Sequence, residues 1–177
     1  MAITTHAAAV EATLGEITLD LVEFGSGHPF LLLHGGGGQP TVAGFAELLA
    51  EKERAHVYVP THPGFGGTQR ADTLTTAADL ARLYVALLDT LELTDVTVVG
   101  NSIGGWVAAE MALLDSQRVS SVILIDAVGV AVPDHPVVDF FGLTFPEIAA
   151  RTARSRPPSC SPSSGSPSKP TEFRPQR

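Results

Sequence analysis

The sequence predicts an α/β fold, a mostly parallel sheet with helices on both faces. Three observations predict it. Short apolar runs alternate along the chain with longer stretches of helical periodicity. Several of the short runs are continuous, as expected of strands buried on both faces. Glycine-rich turns follow the apolar runs, where a strand hands over to a helix. Composition agrees: the 177 residues are 44% hydrophobic and 17% charged, with a mean hydropathy of +0.20.

The elements follow in order. From Glu16 to Phe24, Ile17, Leu19 and Leu21 alternate with Thr18 and Asp20, which predicts a half-buried early strand ending at a Gly25-Ser26-Gly27 turn. Phe30 to Leu33 is a short continuous apolar strand, and a helix is expected from about Val42 to Glu53. His56 to Val59 forms the next strand, closed by Pro60 and a loop rich in Gly and Pro. The strongest helix runs from about Thr75 to Leu91. Leu80, Leu83, Tyr84, Leu87, Leu88 and Leu91 recur there at helical spacing and build one apolar face. Asp95 to Val99 is a strand, followed by the Gly100 to Gly105 block and a helix rich in Ala, Leu and Met to about Leu114, and Val119 to Ile125 is a further strand ending at Asp126.

Charge and cysteine content exclude several function classes. A net charge of -8 with a pI of about 5.1 argues against a nucleic-acid or anionic-membrane surface. A single cysteine, Cys160, excludes a disulfide framework and any multi-cysteine zinc site, and fits a reducing compartment. The longest apolar run, Val122 to Pro133, is broken by Asp126 and falls short of the roughly 18 residues a membrane span needs. No basic residue precedes Lys52, so no secretory leader is expected and a cytoplasmic location is.

Two motifs carry chemistry. Gly100-Asn101-Ser102-Ile103-Gly104 is a G-x-S-x-G pentapeptide at the exit of an apolar strand and the entry to a helix. A sharp turn there lifts a serine out of the sheet, and it brings the residues two before and two after that serine close together. Glycine at both positions avoids a Cβ clash, and Gly105 lets the helix pack near the strand. The helix N-terminus adds unpaired N–H groups and a positive dipole end that favour developing negative charge. The bland alternative is a glycine-rich loop with an incidental serine. His34-Gly35-Gly36-Gly37-Gly38 also ends an apolar strand. It reads either as a loop that points an N–H at a carbonyl oxygen, or as a flexible turn. A dinucleotide fingerprint fails because position 40 is Pro40, and a P-loop fails for want of Gly-Lys-Ser/Thr.

Together with the Pro60-Thr61-His62-Pro63-Gly64-Phe65-Gly66 loop, these blocks resemble the α/β-hydrolase family over roughly residues 15 to 145. The form G-N-S-x-G-G is similar to esterases and to hydrolases that cut carbon–carbon bonds in ring-cleavage products. The resemblance implies a hydrolase of esters or related carbonyl small molecules, with no cofactor or metal. It makes Ser102 the nucleophile and gives the oxyanion hole to the N–H groups of Ile103 and Gly36. A serine at 102 argues against epoxide hydrolase or haloalkane dehalogenase chemistry, which needs a carboxylate nucleophile. The family order continues with an acid and then a histidine base on later loops. Here Asp126 is either that acid or a loop-capping carboxylate. His135 is the last histidine and the candidate base; His34, His56 and His62 have no such role in the family pattern, and His6 and His28 lie before the core. The chain thus resembles the first two-thirds of such a hydrolase, truncated after the sixth strand, which leaves the strand ending at Asp126 as an uncovered edge. A second function class stays open: a hydrolase fragment or binding module without catalysis. Substrate and oligomeric state are not legible.

Composition breaks near residue 150. Residues 1–150 hold five Lys/Arg against eighteen Asp/Glu, whereas residues 151–177 hold six against one, with seven Ser, six Pro and no Leu, Ile, Val or Met. Such a segment buries too little apolar surface to offset a chain entropy of roughly 1–2 kcal/mol per ordered residue, so a disordered tail is expected. It reads as a solvated tail, as a basic segment recruiting an acidic partner, or as the product of a shifted reading frame of GC-rich codons. Limited trypsin digestion should remove it, cutting after Arg151 and Arg154, before the body is touched. A tail as resistant as the body would show that it is ordered.

Overall fold

The computed structural model describes residues 2–12, 15–129, 134, 142–144, 146–147 and 150. The chain divides into two units, Met1–His135 and Pro136–Arg177. In the second, the Thr144 N–H and hydroxyl both donate to the Glu147 carboxylate, at 2.8 and 2.7 Å. The segment from 151 onward, including the expected tail, lies outside the described residues.

The described residues of the first unit hold six strands and three helices in the order β1 (Ile3–Ala12), β2 (Gly15–Gly25), β3 (His28–Leu33), α1 (Pro40–Glu53), β4 (Ala55–Pro60), α2 (Ala77–Thr90), β5 (Val96–Asn101), α3 (Ile103–Leu113) and β6 (Val119–Ile125). The strands form one sheet in the order β1-β2-β4-β3-β5-β6. β3 runs parallel to both β4 and β5, and β5 parallel to β6, while β1–β2 and β2–β4 are antiparallel. Connection length explains the division. A helix crosses over between β3 and β4, β4 and β5, and β5 and β6, which a parallel pair requires, while the short link from β1 to β2 allows only a hairpin.

β1 is the one element that the sequence pattern does not announce. Its alanines have weak strand preference, and only Ala8 and Val10 of the strand are buried. Pairing with β2, in which Ala8 faces Leu19 and Val10 faces Ile17, makes it a strand. Tertiary context here overrides local preference.

Alternation sorts the strand residues between two cores. Leu31 and Leu33 of β3, Tyr58 of β4 and Val98 of β5 pack on the side of α2 and α3, against Leu83, Leu87, Val107 and Met111. Leu32, Val57, Val59 and Val99 point the other way, against Val42, Ala46 and Ala50 of α1. α2 begins at Ala77 because Thr76 caps it. The Thr76 hydroxyl accepts from the Asp79 N–H at 3.1 Å, and the Asp79 carboxylate accepts from the Thr76 N–H at 2.9 Å. The expected apolar face lies as read, with Leu83, Tyr84, Leu87 and Leu88 buried. Among the described residues, no helix is long and apolar enough to cross a membrane.

One polar tie crosses the α2 side of the sheet. His34 ends β3, His62 lies in the loop after β4, and Tyr84 comes from α2; all three are buried. Hydrogen bonding fixes where their protons sit. Carbonyl oxygens only accept, so His34 Nδ1–H donates to Gly35 O (2.7 Å) and His62 Nε2–H donates to His34 O (2.8 Å). His34 Nε2 then accepts from the His62 backbone N–H (2.9 Å), and His62 Nδ1 accepts from the Tyr84 hydroxyl. Both rings are therefore neutral, each in one tautomer. Burial, then repulsion from the His34 ring, pulls the His62 pKa down to about 4, against a weaker raising effect of its bond to the His34 carbonyl. Burial lowers His34 and raises Tyr84.

The unfolded chain protonates His62 near 6.5 and the folded chain only near 4, so stability falls as pH drops through that window. At about 1.4 kcal/mol per pH unit, His62 alone removes roughly 3 kcal/mol. Urea unfolding at pH 7 and pH 4 checks this against His62→Gln, whose amide can keep both hydrogen bonds without titrating. The variant should lose about 3 kcal/mol less on acidification than the parent. Equal losses in the two proteins would contradict the tie.

Candidate active site

The elbow is built from β5 upward. β5 is buried along Val96 to Gly100, and α3 starts at Ile103, so the chain must reverse within Asn101 and Ser102. It does so by placing Ser102 at φ 55°, ψ −114°, left-handed backbone that L residues rarely adopt. Four hydrogen bonds hold the strained peptide. The Ser102 N–H donates to Ile125 O of β6 (2.9 Å), and the Ser102 carbonyl accepts from the N–H groups of Gly105 (3.0 Å), Trp106 (3.2 Å) and Val128 (3.2 Å). The Ser102 side chain makes no helix-capping bond. Its hydroxyl has no hydrogen-bond partner among the described residues, and the residue is half-buried.

The glycines of the motif answer a steric need. A Cβ on Gly100 would lie 2.2 Å from Gly104 O, and one on Gly104 would lie 2.3 Å from Leu33 O and 2.6 Å from His34 O. The positions before and after the serine do come together, and the start of α3 is pressed onto the end of β3. That pressure brings the second motif to the first. A Cβ on Gly35 would sit 3.0 Å from Ser102 Cβ. The loop is pinned at its base, since Gly35 O accepts from His34 Nδ1–H (2.7 Å) and from the Gly38 N–H (3.1 Å). Gly36 and Gly37 form its exposed tip. Neither the Gly36 N–H nor the Ile103 N–H donates to a described carbonyl.

Asp126 follows β6 directly, at φ 45°, and is exposed. The bonds from Ser102 N–H to Ile125 and from Val128 N–H to Ser102 bracket it, so it stands beside the elbow. Its carboxylate takes no partner among the described residues. His135 lies outside the described residues. The described histidines are engaged elsewhere. His34 and His62 use both ring nitrogens in the tie, His56 Nε2 meets Glu23 at 2.7 Å with Tyr58 on its Nδ1 at 3.0 Å, and His6 approaches Glu23 at 3.4 Å. His28 opens β3, with Thr97 Oγ1 at 3.2 Å, at the opposite end of the parallel strands from Ser102. No described imidazole hydrogen-bonds Ser102. Among the described residues, no group of three or more His, Cys, Asp or Glu could hold a metal ion.

Sequence reasoning did not find the His62–Tyr84 pair, which is separated by 22 residues. The one available signal was a tyrosine on an otherwise aliphatic helix face, because a buried phenol needs a hydrogen-bond partner.

Comparison with known proteins places this geometry. A family model described as alpha/beta hydrolase fold matches residues 28–159. The chain is 36% identical over 120 residues to a 2-hydroxy-6-oxo-2,4-heptadienoate hydrolase of Pseudomonas putida (strain F1), covering 66% of this chain and 44% of that protein. It is 32% identical over 120 residues to a 2-hydroxymuconate semialdehyde hydrolase of Pseudomonas sp. strain CF600, with 66% and 42% covered. The chain thus spans less than half the length of these curated relatives. An esterase structure from Thermogutta terrifontis superposes with a TM-score of 0.63 at 31% identity, covering 75% of this chain and 48% of that one. A meta-cleavage product hydrolase, CumD, does so with 0.60 at 27% identity, covering 71% and 47%. The chain belongs to the α/β-hydrolase fold family.

Proposed function

We propose that the chain carries the nucleophile and oxyanion-hole half of a serine hydrolase acting on small carbonyl compounds, by cleavage of an ester or of a carbon–carbon bond beside a carbonyl. The backbone of Ser102 carries this reading. A left-handed serine between strand and helix, with an unclaimed hydroxyl, is expensive to hold and is what an exposed nucleophile needs. Ser102 Oγ adds to the carbonyl carbon, the π pair moves to the oxygen, and the Oγ proton passes to a base. The N–H groups of Gly36 and Ile103 receive the oxyanion. Collapse re-forms the carbonyl and expels the protonated leaving group, and water then cleaves the acyl-enzyme. Asp126 as acid and His135 as base complete the proposed triad. The named activities of the two Pseudomonas relatives and the esterase neighbour support this substrate class.

One observation favours a second reading, a fragment or binding module without turnover: every described imidazole is committed away from Ser102. A fluorophosphonate probe should label the protein at Ser102, and labelling should vanish in Ser102→Ala; labelling that persists would sink the assignment. The pH profile of activated-ester hydrolysis separates the readings. Without a histidine base, rates stay flat between about pH 5 and 8, at roughly 10³–10⁴-fold over water. A profile with an apparent pKa near 6.5 and rapid turnover identifies a histidine base, in the range where imidazole titrates.

A further inference from the structure

The peptide between Gly35 and Gly36 has two ways to face the core. It is planar and trans, so the Gly35 carbonyl and the Gly36 N–H point in opposite directions. Whichever of them meets the His34 ring, the other is turned away from it. Glycine on both sides, with open space where a Cβ on Gly36 would go, leaves no side chain to choose between the two. The buried His34 ring makes the choice. Its Nδ1–H donates to Gly35 O at 2.7 Å, and the Gly38 N–H donates to the same oxygen at 3.1 Å. A bare Nδ1 in that place would repel the carbonyl and call for an N–H instead.

The tautomer of that ring is set from outside the loop. His34 Nε2 meets the backbone N–H of His62 at 2.9 Å, a group that can only donate. Nε2 is therefore bare, and the one proton of the neutral ring sits on Nδ1. Burial, which lowers the His34 pKa, keeps a second proton off. The His62 ring returns the contact: its Nε2–H donates to His34 O at 2.8 Å, so the preceding peptide is held as well. A Cβ on Gly35 would lie 3.0 Å from Ser102 Cβ, so the loop held in this way lies against the elbow. We propose that His34 is a positioning residue, kept in its Nδ1–H tautomer by the His62 backbone, which holds the Gly35 carbonyl inward and so aims the Gly36 N–H at an oxyanion formed at Ser102. The inference rests on the serine-hydrolase reading above and adds to it a cause for the direction of one donor. In this role His34 touches no substrate and passes no proton.

Nitrogen-15 NMR of the histidine rings in the full chain at neutral pH should find His34 protonated at Nδ1 and bare at Nε2. The opposite tautomer would overturn the proposal. Two variants then separate aim from packing, with the rate of fluorophosphonate labelling at Ser102 as the readout, because the probe's phosphoryl oxygen uses the same donors. His34→Asn places an amide N–H near the Nδ1 position, where it can donate to Gly35 O. His34→Gln reaches the Nε2 position instead, accepts from the His62 N–H and leaves Gly35 O without a side-chain donor. Removing one oxyanion donor costs on the order of 10²–10³-fold in rate, so a misaimed one should make His34→Gln react at least ~10-fold more slowly than His34→Asn, both measured well below their urea midpoints. Equal rates, or a faster His34→Gln, would overturn the proposal. Should either variant not fold, the tautomer in the parent decides. A parent that is not labelled at Ser102 would remove the hydrolase reading and this inference with it, whereas a labelled parent with equal variants would remove the inference alone.

Discussion

Everything at the functional end of this fold depends on one close approach, that of α3 to the ends of β3 and β5. Gly104 lies so near the last peptides of β3 that a methyl group there would overlap the carbonyl oxygens of Leu33 and His34. Gly100 accepts the Gly104 carbonyl where its own side chain would be. With these two side chains absent, the helix can start directly after the strand and the turn tightens onto Ser102. A left-handed serine of this kind costs about 1–3 kcal/mol. The bonds to Ile125 O and from the N–H groups of Gly105, Trp106 and Val128 spread that strain over α3 and the exit of β6. The same contact sets Gly35 against Ser102 Cβ, so one steric constraint both turns the serine out of the strand and seats the glycine loop beside it.

A second constraint holds the loop from behind. The His34 carbonyl next to Gly104 also accepts from His62, whose other nitrogen is held by Tyr84 in the core of α2. Three elements distant in sequence thus meet at one peptide. Because every ring nitrogen in this group is already used, these histidines serve the shape of the loop. Phe65 closes the cluster edge-on, with its ring centre 5.1 Å from that of His34.

Much of this was legible in the sequence, for identifiable reasons. Helical spacing found α2, continuous apolar runs found β3, β4 and β5, and the glycine pattern around Ser102 announced a clash that the structure contains. What escaped was set by long-range contacts. β1 is a strand because β2 is beside it, and its alanines say nothing alone. The tie between His62 and Tyr84 depends on where α2 packs, which no local window records. The exposure of Ile123 to Ile125 follows from sheet order: the same apolar run would be buried in a strand with neighbours on both sides.

The central claim is that the contact of α3 with β3 holds the elbow, and urea unfolding of two glycine variants tests it most directly. Gly44 sits within α1 with open space where a Cβ would go, so Gly44→Ala should stabilise the protein by roughly 0.5–1 kcal/mol. Gly104→Ala forces a methyl group onto backbone that cannot rotate away, and it should destabilise the protein by at least about 2 kcal/mol or prevent folding. An unfolding midpoint for Gly104→Ala equal to that of the parent would mean that the contact is loose, and that something else holds Ser102 in its strained turn.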